Sequence, residues 1–330
     1  MILGGDVGGT KCNLALFDER SGALVEGPSR RFPSADYKRF EDVVAEFLHT
    51  VIEPAGIKLS AAGIGVAGPV SEGVSVATNL PWRVDAGSLA SILGLSRVAL
   101  VNDLEANAYG IGALAPSDFE VLNPGAPGAH GLQAVIAAGT GLGEAGLYWD
   151  GKTHRPFSSE GGHADLAPRN ELEDALVVYL RNRFGGHVSW ERVLSGPGLH
   201  NLFEFLRDTG RGRAEPWLAE AMKREDPSAA ISRAGLEGTS PICVQALDMF
   251  VSLYGSEAGN LTLKVLATGG LFVGGGIAPK ILPKMRSPAF KESFFSKGRL
   301  RPLLEQVPVR VILNDDTALL GAARCALLGS

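Results

Sequence analysis

Ile2-Leu3-Gly4-Gly5-Asp6-Val7-Gly8-Gly9-Thr10 opens the chain and runs on into Lys11-Cys12-Asn13-Leu14-Ala15-Leu16-Phe17. Residues 2–6 read as a buried strand, the paired glycines as a tight turn, and residues 13–17 as a second strand. The second half of the chain opens with a similar phrase. There Gln133–Ala138 reads as a strand, Gly139-Thr140-Gly141 as a turn and residues 144–149 as a strand, with Asp150-Gly151 as a hairpin signal. This internal echo, about half the chain apart, expects two related strand-turn-strand cores.

Between and beyond these phrases, strands and helices alternate, so the expected class is α/β. Apolar residues at helical spacing (Phe40, Val43, Val44, Phe47, Leu48 and Val51) predict a helix over residues 40–52. Short apolar runs predict strands over 62–67, stopped by Gly68-Pro69, and over 98–101, followed by Asn102-Asp103 and a helix over 104–109. Further on, helices are expected over Glu171–Phe184, 250–266 and Thr317–Leu328, and a strand over 309–313. The Gly/Pro-rich stretch Asn123-Pro124-Gly125-Ala126-Pro127-Gly128 reads as a linker or exposed crossing near a domain boundary.

Composition narrows the function classes. With 330 residues, 45% hydrophobic and 20% charged, the chain is long enough for two domains and has an ordinary globular balance. A net charge of −5 argues against non-specific nucleic-acid binding, which needs clustered Lys and Arg. A phosphorylated ligand stays open, because backbone N–H groups hold phosphate without basic side chains. The three cysteines, Cys12, Cys243 and Cys325, are far apart, so neither a disulfide scaffold nor a zinc knuckle is expected. No apolar run reaches the ~18 residues of a membrane span, and no basic leader precedes the first strand. The expectation is a soluble cytoplasmic protein.

Six positions carry residue types suited to chemistry. Gly8-Gly9 lets the backbone approach an anion with no Cβ in the way, Thr10 adds a hydroxyl, and Asp6 at a strand end suits a divalent cation held by phosphates. Gly139-Thr140-Gly141-Leu142-Gly143 has the look of a dinucleotide fingerprint, but that motif needs a helix directly after it. Here a strand pattern follows, which favours a phosphate-facing β-turn. Asn102-Asp103 stands where ligands gather in open α/β sheets, although both residue types are also favoured helix caps. Glu160-Gly161-Gly162-His163 makes a tight turn able to aim an acid and an imidazole at one small ligand; solvated surface positions are the plainer reading. Glu191 sits in Ser189-Trp190-Glu191-Arg192-Val193-Leu194-Ser195-Gly196-Pro197-Gly198, where a glutamate in the first turn of a helix is the plainer reading. Gly274-Gly275-Gly276 closes an apolar strand before an expected helix and leaves room for a flat ligand such as a nucleobase, or is simply a sharp loop.

In their joint order these blocks, with Asn79-Leu80-Pro81-Trp82 between the first two, resemble the bacterial-type glucokinase family over residues 5 to about 321. The resemblance implies a two-domain actin-like ATPase (RNase H-like) fold with a cleft between a small and a large domain. The small α/β domain would be residues 1–114, with the helix of residues 315–330 returning to it, and the large α/β domain residues 115–314. It implies an ATP:D-glucose 6-phosphotransferase that starts glycolysis. Asp103 would take the proton of the sugar 6-hydroxyl, and Asn79, Asn102, Asp103, Glu160, His163 and Glu191 would bind the sugar. Gly5, Asp6, Val7, Gly8, Gly9, Thr10, Gly139, Thr140 and Gly141 would hold the ATP phosphates, Gly274, Gly275 and Gly276 would border the adenosine, and Asp6 would lie near Mg²⁺ through water.

Lys11 departs from the family, where Asn is common at this place. The Cys-rich zinc motif of the related repressor/kinase (ROK) sugar kinases does not follow His163, so no structural zinc is expected. By analogy the protein would be a homodimer, with glucose and ATP as partners and neither nucleic acid nor membrane among them. A kinase for another hexose or an amino sugar is the alternative within enzymes. A sugar-sensing regulator on the same fold would carry an N-terminal DNA-binding helix-turn-helix, for which a strand starting at residue 2 leaves no room. An actin-like filament protein would not need the full sugar-binding set.

Overall fold

The parallel register of three short strands sets the first half of the chain. In the computed structural model, which describes residues 1–20, 23–77 and 80–329, the contacts separate two compact units. Unit 1 comprises residues 1–118, 154–156 and 314–330; unit 2 comprises residues 119–153 and 157–313.

Unit 1 begins with β1 (Ile2–Val7), β2 (Lys11–Arg20) and β3 (Ala23–Pro33), then α1 (Phe40–Phe47) and β4 (Ala61–Val66). A small three-stranded sheet of β5 (Val70–Ser71), β6 (Val74–Val76) and β7 (Arg83–Asp85) follows, then α2 (Ala86–Leu93), β8 (Ala99–Asn102) and α3 (Asp103–Ile111). The main sheet has the order β3-β2-β1-β4-β8. β1 pairs antiparallel with β2 and parallel with β4, and β4 pairs parallel with β8.

Alternation along β1 explains how both faces are covered. Leu3 and Val7 join Phe40, Val43, Val44 and Phe47 of α1 and Leu89 of α2 in one apolar cluster. Ile2 joins Ala15 and Phe17 of β2 with Leu319 and Ala323 in another. With both faces buried, a slip of one residue would exchange the two sets, so the register is strongly specified.

Unit 2 runs β9 (Phe119–Asn123), β10 (Gln133–Ala138), β11 (Leu142–Trp149) and β12 (His154–Ser159), whose first three residues group with unit 1. Then come α4 (Glu171–Phe184), α5 (Gly196–Asp208), α6 (Pro216–Arg224), α7 (Pro227–Glu237) and α8 (Pro241–Val265). β13 (Gly270–Gly274), α9 (Leu282–Met285), α10 (Pro288–Phe295), α11 (Arg301–Glu305) and β14 (Val309–Ile312) complete it. Its sheet order is β12-β11-β10-β13-β14-β9. The β1-β2 hairpin with parallel β4 and β8 is repeated by the β10-β11 hairpin with parallel β13 and β14. The echo in the sequence is therefore a repeated sheet topology. α8 lies across this core, with Phe250, Tyr254 and Leu261 in one cluster with Ala134, Ile136 and Ala138. No helix among the described residues is long and apolar enough to cross a membrane.

Three expectations change. The helix of residues 40–52 is α-helical only to Phe47, and Leu48–Ile52 forms a π-helical turn in which the Glu53 amide donates to the Leu48 carbonyl at 2.9 Å. The Thr50 hydroxyl donates to the Glu46 carbonyl at 2.7 Å, competing with the regular ladder at that point. The Gly/Pro-rich stretch is no free linker. The Asn123 side-chain amide donates to the Val307 carbonyl at 2.7 Å, and the Ala126 amide donates to the Gln306 carbonyl at 2.8 Å, so it is anchored within unit 2. After Gly274 the chain makes turns as far as residue 281, and α9 has only 4 residues, so no helix follows the glycines directly.

The last helix, α12 (Thr317–Leu328), packs on α3, β1 and β4 of unit 1. The α3–α12 crossing is close because it is made through glycines. A Cβ on Gly321 would overlap the Ala106 carbonyl, and one on Gly110 would overlap the Thr317 carbonyl. Gly321→Ala is expected to destabilise the chain by roughly 1–3 kcal/mol through overpacking. Urea denaturation checks this, and an unchanged midpoint would contradict the crossing.

Candidate active site

In unit 1, the register aligns Asp6 with Gly65 and Val66 with Asn102, so three parallel strands end level. Asp6 is the sixth residue read from the chain start and Asp103 is the first residue of α3. Asn102 is the N-cap: its Oδ1 accepts from the Leu104 amide at 2.9 Å, and its Nδ2 donates to the Gly68 carbonyl at 2.9 Å. The cap role therefore falls to Asn102. Asp103 also accepts from the Leu104 amide, through Oδ1 at 2.9 Å, and its second oxygen is not engaged in that bond. Burial raises the Asp103 carboxyl, opposed by the Leu104 and Asp103 amides and by Asn102.

Asp6 carries a stronger perturbation. Burial first, and then the negative charge of Asp103, push its carboxyl up to about 6; Lys11 and a hydrogen bond from Asn13 oppose this, and Asp316 adds to it. Two desolvated carboxylates at the ends of β1 and β8, with β4 between them, form a region of negative potential that a cation relieves.

The glycine turn after β1 is tethered from behind. The buried Ser34 hydroxyl donates to the Gly8 carbonyl at 2.9 Å, and its amide donates to the Thr10 carbonyl at 3.0 Å. Gly5 and Val7 are buried within β1, whereas Gly8 is half-buried and Gly9 and Thr10 are exposed. The reachable part of the segment is thus Gly8, Gly9 and Thr10, with exposed Lys11 next to them. Asn79 lies outside the described residues.

In unit 2, a strand follows the second glycine turn, which excludes the dinucleotide-fingerprint reading. The turn is tied to the segment that carries Glu191. Glu191 Oε2 accepts from the Leu142 amide at 3.0 Å, and the Gly196 amide donates to the Gly139 carbonyl at 2.8 Å. Glu191 sits in a short 3₁₀ turn, Trp190–Arg192, and not in the first turn of a helix; α5 begins later, capped by Ser195, whose Oγ accepts from the Gly198 amide at 3.0 Å.

Glu160 precedes a 3₁₀ turn, Gly161–His163, whose last residue is His163; His163 Nε2 lies 3.9 Å from Glu160 Oε2 and both side chains are exposed. The Trp190 amide donates to the Ala164 carbonyl at 3.0 Å, so this turn and the Glu191 segment are neighbours. Gly274, Gly275 and Gly276 lie against β10: Ile277 donates its amide to the Ala138 carbonyl at 3.3 Å, and a Cβ on Gly275, whose φ is 79°, would overlap that same carbonyl. Unit 2 thus gathers Gly139-Thr140-Gly141, Glu191, Glu160, His163 and the glycine run.

Sequence reasoning missed the tethers behind these turns. Ser34 is one. Tyr254 is another: its buried hydroxyl accepts from the Ala138 amide at 3.1 Å and lies 3.4 Å from the Gly274 carbonyl, joining the ends of β10 and β13. Neither belongs to a local pattern; both come from elsewhere in the chain.

A sequence profile of the glucokinase family matches residues 3–328. The chain belongs to the glucokinase family. It is 41% identical over 339 aligned positions to a glucokinase of Nostoc punctiforme, covering 99% of this chain and 98% of that one. A crystal structure of glucokinase from an Antarctic psychrotroph superimposes with a TM-score of 0.86 at 32% identity, covering 99% of both chains. A ROK family glucokinase from Streptomyces griseus, solved in complex with glucose and AMPPNP, shares the fold at a TM-score of 0.66 and 23% identity, covering 99% of both chains. The α/β architecture is that of the glucokinase and ROK structures, the actin-like ATPase fold.

Asp6 supplies a pH-dependent test. With its carboxyl at about 6 in the folded chain against an ordinary 3.8, its burial is harmless below pH 4, and stability is lost as pH rises through 6. Asp6→Asn is therefore expected to raise stability at pH 7 by roughly 1–3 kcal/mol, with the gain vanishing near pH 4. Thermal melts of the nucleotide-free chain at both pH values check this; a variant that melts lower at pH 7 contradicts it.

Proposed function

We propose that this glucokinase-family enzyme transfers the γ-phosphoryl group of ATP to the 6-hydroxyl of glucose, with Asp103 as the general base. The carrying observation is the Asp103 carboxyl itself. It is half-buried at the head of α3, held at one oxygen by a backbone amide, and raised in basicity by burial. Such a group is oriented and able to accept a proton.

In the reaction the sugar O6 bonds to the γ-phosphorus, the bond from that phosphorus to the β–γ bridging oxygen breaks, and ADP leaves. The O6 proton passes to Asp103 and then to water. Phosphoryl transfer runs through a loose transition state, so the proton departs late and no strongly basic group is needed. Most of the acceleration comes from positioning and from donors on the phosphates. Thr10, Thr140 and the amides of the two glycine turns serve as those donors, with Lys11 near the first.

Glucose is neutral and carries many hydroxyls, so its site needs paired donors and acceptors. Asn79, Asn102, Glu160, His163 and Glu191 provide such a mixture. Glu191 already spends Oε2 on the Leu142 amide, so Oε1 is its oxygen for the sugar. A site of this kind rejects an analogue lacking a hydroxyl, because its own polar groups are left unpaired.

Magnesium enters as part of the nucleotide substrate. Among the described residues no group of three or more His, Cys, Asp or Glu is arranged to hold a metal ion. That donor set fits a cation bound chiefly by phosphates and water, with Asp6 as the nearby carboxylate, since Mg²⁺ keeps several waters. When bound, the ion neutralises charge on the phosphates. The family resemblance extends this reading to a cytoplasmic homodimer, with units 1 and 2 as its small and large domains.

Asp103→Asn is expected to lower kcat by roughly 10²–10⁴ while glucose still binds. A coupled assay of glucose 6-phosphate, with calorimetric titration of glucose, checks both. Near-normal turnover in the variant removes Asp103 as base, and a preference for mannose, fructose or glucosamine by kcat/KM would replace glucose as the substrate.

A further inference from the structure

The 160–163 turn rests on a carboxyl that the reaction above does not use. Glu144 stands on β11, two residues beyond Leu142, and is 1% exposed. Neither of its oxygens accepts a hydrogen bond, and only as a protonated acid can it form one, to the Glu257 carboxylate. Its Oε2 occupies the space where a Cβ on Gly161 would stand, so the side chain is pressed directly against the turn.

Glu144 also meets Glu257 of α8, which is fully buried. Glu257 accepts from Asn260 Nδ2 at 2.7 Å and from Lys264 Nζ at 2.9 Å. Asn260 Oδ1 in turn accepts from Lys297 Nζ at 2.6 Å. The charge of Glu257 is therefore compensated, while that of Glu144 would not be. A buried carboxylate without partners is costly enough that the group takes up a proton instead. Burial, with Glu257 beside it, pushes the Glu144 carboxyl up to about 8, and Lys264 opposes this. Burial pushes the Tyr254 phenol up, so it stays neutral across the same range.

We propose that Glu144 is a positioning residue for the sugar-binding turn: as a neutral acid wedged between Gly161 and Glu257 it holds Glu160 and His163 in place, and as an anion it displaces them. The physical reason is direct. An ionised Glu144 is repelled by Glu257 and needs water, and the turn it presses on carries the exposed Glu160 and His163. Ionisation drives the carboxylate outward through that turn. The proposal rests on the reading that Glu160 and His163 meet the sugar.

The test compares the full chain with Glu144→Gln, which keeps the size and stays neutral at every pH. Between pH 7 and 9.5 the native glucose KM is expected to rise by about fivefold or more while the ATP KM changes less than about twofold, the split of an effect confined to one substrate. Glu144→Gln is expected to hold the glucose KM within about twofold over that range. Hydrogen exchange of the His163 and Ala164 amides, corrected for intrinsic rates, reads the turn without activity: protection falls in the native chain at high pH and not in the variant. The same alkaline loss of protection in Glu144→Gln, or none in the native chain, overturns the proposal. Protection that behaves as expected while the glucose KM stays flat instead supports the proposal and overturns the reading of the turn as the sugar site. Should Glu144→Gln fail to fold, Glu257→Gln carries the test. Removing that charge leaves Lys264 acting on Glu144, so the loss must begin at lower pH, and an unmoved onset overturns the proposal.

Discussion

Two carboxylates, Asp6 and Asp103, stand at the level ends of β1 and β8, near enough for the charge of Asp103 to raise Asp6, and much of unit 1 keeps them there. Their proximity follows from the β1-β4-β8 register, which ends all three strands level. The register follows from alternation along β1, with one set of apolar residues under α1 and α2 and the other under α12. Gly4 of β1 and Gly63 of β4 let α12 seat closely on the sheet, and the glycines at the α3–α12 crossing let the two helices meet. The fold thus concentrates negative charge where water is scarce, at a cost in stability. On the function proposed above, a nucleotide with its Mg²⁺ would offset that cost on binding.

Both units use the same device behind their glycine turns. A buried polar side chain from a distant part of the chain takes up backbone groups of the turn or of the strands that lead to it. Ser34 does this for Gly8 and Thr10, and Tyr254 does it for Ala138 and Gly274. Glu191 adds a third tether, on the Leu142 amide. Glycine removes the side chain that would block an anion, and it also removes stiffness. The tethers restore the stiffness without covering the exposed face.

These particulars explain what was legible beforehand. The two hairpins were readable because an apolar run, a glycine pair and a second apolar run each have local signatures. The bounds of α4 match the expectation because Asn170 caps its start and Gly185, with φ of 77°, ends it. α8 was expected to begin at residue 250, but it begins at Pro241, a proline that fits the first turn of a helix after Ser240 and so extends the apolar stripe through Cys243, Ala246 and Leu247. β3 was missed because Glu26-Gly27-Pro28-Ser29-Arg30-Arg31 is an exposed, polar stretch without alternation. The motif residues were found by type and spacing. Their tethers were not, because Ser34 and Tyr254 act through space and each is a single residue in unremarkable surroundings.

The central claim is that Asp6 and Asp103 share one poorly solvated notch. Its most direct test is a carbon-13 NMR titration of the Asp6 carboxyl, in the native chain and in Asp103→Asn. The native midpoint should lie at about 6, and it should fall when the Asp103 charge is removed. A native midpoint near 3.8, or one at about 6 that does not move in the variant, would contradict the account.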